Sequence, residues 1–563
     1  MVPKTFPSLR TIAAFLLAGG GLNAAEPEAP APIAPVVPLV LEADLEALAA
    51  PVGGSAGAAA PGAATPCTVC NPAFDFSKVP TPRALQLVGP RPMLPTGPGY
   101  YSALDQLRGQ CRQAPPKYPY PRFGLSAPSN FDIPFNYLDD PKNTEHDYAD
   151  PLKRMKIGDD WMLSLGGQAW GRYMNEYNSR LGRVDNDYFL YRTRVNADLW
   201  YKDIFRFYVE GIHANTVGQS LPPLLIDGTG TDFLNLFMEA KLGEYEEKPV
   251  YARVGRQELN LGSQRLVSTL DWANTRRTFQ GASVYRNGDK WDSQFFWVQP
   301  VIPNFNQLDW ADTQQNFAGG YVNYRPAKGQ SVEFYNYAYV NNNSIVQRGL
   351  QRGNISMDTI GARYTGDKNN VLWDVEAAGQ FGRTAGQNVA AAMATVGLGY
   401  NAKELAWHPT FWAYYDYATG DGSPNSGNFN TFNQLFPFGH YYMGWADLIG
   451  RQNIQDLNFH MYLYPTKWIT FWTQYHIFQL ANARDALYNT AGNVSRFDPT
   501  GRAGRNVGQE LDFIVNFHLT NHSDVMAGYS HLFAGSFIRN TAPAGQRDGF
   551  DSSTFFVMYN YKW

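Results

Sequence analysis

Residues 187–201 read DYFLYRTRVNADLWY, apolar and polar in turn. Phe189, Tyr191, Val195, Ala197 and Leu199 share one parity, while Arg192, Arg194, Asn196 and Asp198 share the other. Successive side chains of a strand point to opposite faces, so a period of two gives one apolar and one polar face. The pattern recurs. In 204–212, Phe205, Phe207 and Val209 oppose Arg206, Tyr208 and Glu210. In 232–242, Leu234, Leu236, Met238, Ala240 and Leu242 oppose Asn235, Phe237, Glu239 and Lys241. In 509–520, Leu511, Phe513, Val515, Phe517 and Leu519 oppose Asp512, Asn516 and His518. At the end of the chain, Phe555, Val557, Tyr559, Tyr561 and Trp563 fall on one face, and Thr554, Asn560 and Lys562 share the other with Phe556 and Met558.

About eighteen such strands are expected, a number suited to a meander of tilted spanning strands. They begin near residues 161, 187, 204, 231, 249, 277, 290, 315, 329, 355, 369, 389, 408, 453, 467, 508, 523 and 551. Parity is broken in several segments between 277 and 345. In a soluble sandwich the apolar face would be core. Two features favour a membrane instead. Aromatic residues gather near strand ends, at Trp161, Trp200, Tyr201, Trp291, Trp407, Trp412, Trp468 and Trp563, as rings do at a bilayer interface. An alternating strand also ends on Tyr559, Tyr561 and Trp563, similar to the carboxy-terminal signal read by outer-membrane barrel assembly machinery. The fold class expected is all-β, a transmembrane antiparallel barrel over residues 158–563. Closure is required because an unpaired backbone group in hydrocarbon costs several kcal/mol.

Composition agrees. The 563 residues are 15 % aromatic and only 17 % charged, with 44 % hydrophobic residues, enough for a folded chain. A net charge of −4 gives no support for nucleic-acid binding. Beyond the N-terminus no apolar run is long enough for a membrane-spanning helix. Residues 1–25 read as a signal peptide, with Lys4 and Arg10 before the short apolar run TIAAFLLAGGGL. Residues 26–66 read as an Ala/Pro-rich linker. Residues 67–157 read as an irregular periplasmic region with Cys67, Cys70 and Cys111. Cys67 and Cys70 are spaced to close a small disulfide loop in an oxidising compartment, leaving Cys111 unpaired.

Two blocks are more specific than the period. The first is Val254-Gly255-Arg256-Gln257-Glu258-Leu259, with Gly262, Arg265-Leu266-Val267, Asn274, Arg276-Arg277-Thr278-Phe279 and Gly281. The second runs from Tyr415-Asp416-Tyr417-Ala418-Thr419-Gly420-Asp421 through Thr431-Phe432-Asn433-Gln434-Leu435-Phe436-Pro437. It continues with His440-Tyr441-Tyr442, Gly444, Asp447-Leu448-Ile449-Gly450 and Asn453. In order and spacing both resemble the alginate-export family of outer-membrane proteins, over about residues 160 to 563. The resemblance implies a monomeric barrel of eighteen strands in contact with outer-membrane lipid, and an anionic polysaccharide as one candidate cargo. Architecture follows from it more firmly than cargo.

Arg192, Arg194, Arg206, Arg253 and Arg363 take the polar parity of their strands, and so do Asp198, Glu210, Glu239, Asp374 and Glu376. Guanidinium groups around a constriction would attract carboxylates and bind them through paired hydrogen bonds. The competing reading is a wall of mutually neutralising charges. Arg256 and Glu258 share the parity of Val250 and Val254, so either a bulge intervenes near Gly255 or they lie past the membrane. Arg276 and Arg277 flank a strand and are candidates for a constricting loop. The pore-lining candidates are therefore Arg192, Arg194, Arg206, Glu210, Glu239, Arg253, Arg256, Arg276, Arg277 and Arg363. Two long connections, 419–444 and 481–506, are candidate gates.

No nucleophile elbow, zinc-protease pair or phosphate-cradling loop is visible, so no enzyme, cofactor or metal site is expected. The function expected is an outer-membrane channel for a hydrophilic, anionic or neutral carbohydrate or for small solutes. The alternative is a carbohydrate-binding β protein of the cell envelope that transports nothing.

Overall fold

The computed structural model describes residues 73–80, 89–123, 128–347, 351–423, 426–543 and 550–563. The signal peptide, the linker and Cys67 with Cys70 lie outside the described residues. Cys111 is a free, exposed thiol.

Eighteen strands form the wall. In chain order they are β1 Trp161–Ser179, β2 Val184–Tyr201, β3 Phe205–Val217, β4 Gly230–Tyr245, β5 Lys248–Gln257 and β6 Phe279–Asn287. There follow β7 Trp291–Ile302, β8 Gln315–Tyr324, β9 Gln330–Gln347, β10 Gln351–Lys368, β11 Val371–Thr384 and β12 Gln387–Asn401. The last are β13 Thr410–Ala418, β14 Ile454–Thr466, β15 Ile469–Leu480, β16 Asn506–Thr520, β17 Ser523–Ala534 and β18 Ser552–Lys562. Each pairs antiparallel with its successor. The seam closes where β1 meets β18, from Gln168 opposite Lys562 to Tyr177 opposite Ser553. Each of these eighteen strands therefore has a neighbour on both sides, as a sheet in hydrocarbon requires. Every strand begins within four residues of its expected start.

The alternation sorts the two faces. Phe205, Phe207, Phe295, Trp297, Leu398 and Phe513 project outward and are exposed, whereas Arg206, Phe296 and Ile514 from the same strands are buried inside. Among the described residues no helix is long and apolar enough to cross a membrane. The outward apolar band is what lipid covers in this fold class.

Three expectations need correction. Leu234 does not share the outward face of Leu236; it is 2 % exposed. The register between β3 and β4 shifts at Glu210/Gly211, so an extra residue in β4 reverses parity there. Trp200 and Trp412 are not interface residues. Both sit at inward positions and are buried, Trp200 against Tyr251 and Trp412 against Tyr414. Finally, β7 and β8 keep their parity, and β9 does so as far as Asn341, beyond which its register with β10 shifts. The broken pattern reflects inward Phe296, Val298, Phe317, Tyr335, Tyr337 and Tyr339, an apolar stretch of inner wall.

The two rims differ. At one, the turns run from two to eight residues: 202–204, 246–247, 288–290, 325–329, 369–370, 402–409, 467–468 and 521–522. The chain enters β1 and leaves β18 at this rim. The other carries the long connections 218–229, 258–278, 303–314, 419–453, 481–505 and 535–551. Among its described residues, the segment before the barrel has short helical turns and one three-residue strand, Met155–Ile157, paired with β1. It is held to the short-turn rim. Arg122 donates to the Lys467 carbonyl (3.1 Å), Tyr120 to the Trp563 carbonyl (3.0 Å), and His522 meets Asp147 (2.7 Å).

Candidate functional site: a filled and charge-paired lumen

Three chain segments enter the barrel. From the long-loop rim, residues 258–278 turn inward and are buried almost throughout. Arg265 reaches the wall at Asp374 (2.6 Å) and Glu376 (2.7 Å) of β11. Across the lumen, Trp272 lies under the guanidinium of Arg172 from β1 (3.6 Å) and against Phe556 of β18. Contacts on opposing walls require the loop to cross the interior.

Residues 419–453 enter from the same rim. Phe436 packs edge-on against Phe279 and Phe317, whose rings lie 5.2 and 5.0 Å away, and against Tyr339. This contact explains the apolar wall over β6–β9. Gln380 of β11 exchanges hydrogen bonds with the backbone of Asn433 (2.7 and 2.8 Å). The two infolded loops are joined by backbone: Phe436 N–H donates to Leu266 (2.8 Å), Phe438 N–H to Gln264 (2.9 Å) and Ser268 N–H to Phe436 (3.0 Å). Arg277 secures the joint by donating to the Phe436 and Pro437 carbonyls. Its guanidinium is drawn down to about 10 by burial. His440 stacks on Trp272 at 3.7 Å, and burial lowers its basicity. The connection 481–505 is held to the loop 419–453, where Asn453 donates to the carbonyls of Asn482 (3.0 Å) and Ala486 (2.9 Å). Its tip, unlike its root, is exposed.

The third segment comes from the short-turn rim. Pro90 offers its carbonyl to Tyr441 (2.7 Å) and Tyr462 (2.9 Å), Met93 N–H donates to Tyr464 (2.6 Å), and Arg91 pairs with Asp367 (2.7 Å). Farther along, Asn130 donates to Glu210 (2.8 Å), and the Phe131 carbonyl accepts from Arg206 (2.7 Å). The Phe131 ring fills a box of Tyr208, Phe237 and the Arg253 guanidinium, 4.5 Å distant. Beside it an open recess of about 650 Å³ remains, lined by Lys78, Asp132, Lys153, Asp198, Trp200 and Tyr251 among others. Burial lowers the Lys153 ammonium to about 8.

Of the candidate residues, Arg192, Arg194, Arg206, Glu210, Glu239, Arg253 and Arg363 face inward and are buried, each with a partner. Arg192 faces Asp271 (3.5 Å), and Arg194 pairs with Glu210 (2.7 Å). Arg206 pairs with Asp198 (2.7 Å) and Glu239 (3.5 Å), and Arg253 with Glu239 (2.5 Å). Arg363 binds Glu333 (3.0 Å) and Asp374 (2.7 Å). Arg276, in the infolded loop, holds Glu258 (2.5 Å) and Asp271. Burial raises the Glu258 carboxyl, but Arg276 and Arg194 outweigh it and keep it below its ordinary range. Arg256 is set apart from these. It keeps the parity of outward Val254 at the end of β5, where it binds Asp232 (3.0 Å) and the carbonyls of Phe233 and Asp309. Gln257 and Arg253 take the inner face, and Glu258 lies one residue past the strand.

Sequence reasoning missed several of these partners. Glu333 was legible, because it alternates with Val332 and Phe334. Arg451, bound to Asp416, and Glu510, accepting from Ala446 N–H (2.8 Å), depend on where the infolded loop lands. Asn130 and Phe131 carry no local signal. Among the described residues no group of three His, Cys, Asp or Glu side chains is placed to hold a metal ion.

The family model described as "Alginate export" matches residues 161–550. Among solved structures, OpdO of Pseudomonas aeruginosa is similar at 13 % identity and a TM-score of 0.48, covering 71 % of this chain and 97 % of that one. OpdK of Pseudomonas aeruginosa has 10 % identity and a TM-score of 0.48, covering 71 % and 99 %. OccAB2 of Acinetobacter baumannii has 10 % identity and a TM-score of 0.47, covering 71 % and 98 %. No functionally curated protein matches. With its two motif blocks forming the infolded loops of a closed eighteen-strand barrel, and with the family model spanning most of its length, this chain belongs to the alginate-export family of outer-membrane proteins.

Proposed function

We propose that the protein is a passive outer-membrane channel whose cargo is a hydrophilic carbohydrate, with uronate-type anionic chains favoured over neutral ones. The observation carrying this reading is the inner wall: guanidinium–carboxylate pairs line a closed barrel whose outer face is apolar. Arg192, Arg194, Arg206, Arg253 and Arg363 each already hold a protein carboxylate, whereas Arg172 of β1 donates to the Trp272 carbonyl instead, so most of the positive charge on the wall is neutralised. A uronate chain would instead exchange places with Asp271, Glu239 or Glu333, taking up charge-assisted hydrogen bonds from the arginines they now hold. Selectivity then comes from bore and partner exchange, and the protein performs no chemistry.

By the usual arrangement of such barrels, short turns face the periplasm and long loops the exterior. The N-terminal region then lies on the periplasmic side, consistent with an exported precursor. Cys67 and Cys70 would pair in that compartment. Tyr559, Tyr561 and Trp563 at the end of β18 suit recognition by barrel assembly machinery, and a closed wall is complete as a monomer.

The filled lumen favours a second reading, a barrel that binds carbohydrate without passing it. Planar-bilayer recording with and without uronate oligomers separates the two. The channel reading expects steps of ion current that oligomers interrupt. Saccharide binding by purified protein that never conducts would overturn it and leave the binding reading.

A further inference from the structure

The filled lumen is built as one interlocked assembly. The N-terminal segment touches the infolded loop 419–453 directly, where Tyr441 donates to the Pro90 carbonyl at 2.7 Å. It reaches the other infolded loop through a wall relay. Asn130 donates to Glu210 (2.8 Å), and the Asn235 amide donates to both Glu210 (2.8 Å) and Glu258 (3.3 Å). Glu258 in turn holds Arg276 (2.5 Å). Glu210, Asn235 and Glu258 are each at most 3 % exposed, so water does not substitute for a lost partner. The two infolded loops are themselves joined through Phe436 and Leu266.

We infer that the N-terminal segment is a displaceable plug, coupled to both infolded loops, so that freeing it at the short-turn rim loosens the obstruction entering from the opposite rim. The inference rests on the channel reading only for its consequence, a wider path. The coupling itself is a property of the folded chain and is reciprocal: whatever frees the loops also weakens the hold on the plug. Asn130 and Phe131 are positioning residues here. The Asn130 amide acts through Glu210, and the Phe131 ring through Tyr208, Phe237 and Arg253.

The test uses the full chain in lipid vesicles, with Cys67, Cys70 and Cys111 each replaced by Ser and one reporter, Thr275→Cys, in the infolded loop 258–278. The plug is freed by Asn130→Ala with Phe131→Ala, or more conservatively loosened by Tyr441→Phe, which deletes the one of the two hydroxyls on the Pro90 carbonyl that comes from the infolded loop, leaving that of Tyr462. Labelling by a membrane-impermeant thiol reagent should accelerate on the order of 5–150-fold in the double variant, and by less in Tyr441→Phe. Current should rise in the same order. Retained heat-modifiable gel mobility certifies the fold, and if the double variant loses it, Tyr441→Phe alone decides. Unchanged labelling in folded variants overturns the coupling, even if they conduct. Accelerated labelling in variants that pass no ions leaves the coupling standing and sinks the channel reading instead.

Discussion

The Nδ2 group of Asn235 donates to Glu210 at 2.8 Å and to Glu258 at 3.3 Å, tying a wall carboxylate to one at the root of an infolded loop. Two buried carboxylates are thus held near each other only because Arg194 and Arg276 neutralise them, with an amide between. Such a site tolerates little editing, since removing one member of a buried pair strands the other.

Glu210→Ala is expected to destabilise the barrel by about 3–5 kcal/mol, because Arg194 would keep a buried guanidinium without its carboxylate. Glu210→Gln should cost less, because its amide oxygen still accepts from Asn130 and Arg194, although its NH2 then replaces the oxygen that accepts from Tyr208 and Asn235. The midpoint of denaturant unfolding in detergent reads both. Equal midpoints for Glu210→Ala and the unaltered protein would refute the assignment.

Phe436→Ala removes a ring packed against Phe279, Phe317 and Tyr339. A loss of about 3–5 kcal/mol is typical of a core Phe truncation. Here the joint between the loops gives way before the wall. Noisier and larger single-channel currents are expected, while heat-modifiable mobility is retained.

The loop 303–314 should respond to pH through Asp309. Burial, with Asp232 adding to it, raises this carboxyl from 3.8 to about 6, against the hydrogen bonds from Thr229 and Asn304. A carboxyl raised on docking favours the protonated, docked form. Its stabilisation is complete below about pH 3.8 and is lost as pH rises through about 6. Hydrogen exchange across 303–314, corrected for intrinsic rate, should therefore be more protected at pH 4.5 than at pH 8. Asp309→Asn should abolish the difference.

Phe513 is 53 % exposed in the middle of β16, on the face assigned to lipid. Phe513→Arg should cost roughly 2–4 kcal/mol near the bilayer midplane. The measurement is reversible folding into lipid vesicles. A negligible cost there would mean that this face does not meet hydrocarbon.

The sequence by itself determined the wall. A period of two is local, and each inward Arg192, Arg194 or Arg206 declares its face by its immediate neighbours. Closure follows because hydrocarbon admits no unpaired strand edge. Where a bulge intervened, at Leu234, the local rule failed by one residue and the parity behind it reversed.

Only the tertiary structure decided what fills the barrel. Phe131 in the Tyr208–Phe237 box, Arg265 on Asp374, and Pro90 under Tyr441 join residues hundreds of positions apart or from segments with no period at all. A loop's path is set by the cavity it enters, and that cavity exists only once all eighteen strands have paired. The same cause decided the charges: parity placed arginines and carboxylates on one surface, but pairing them required the distances of the closed wall and the arrival of Asp271 and Glu258 from the infolded loop.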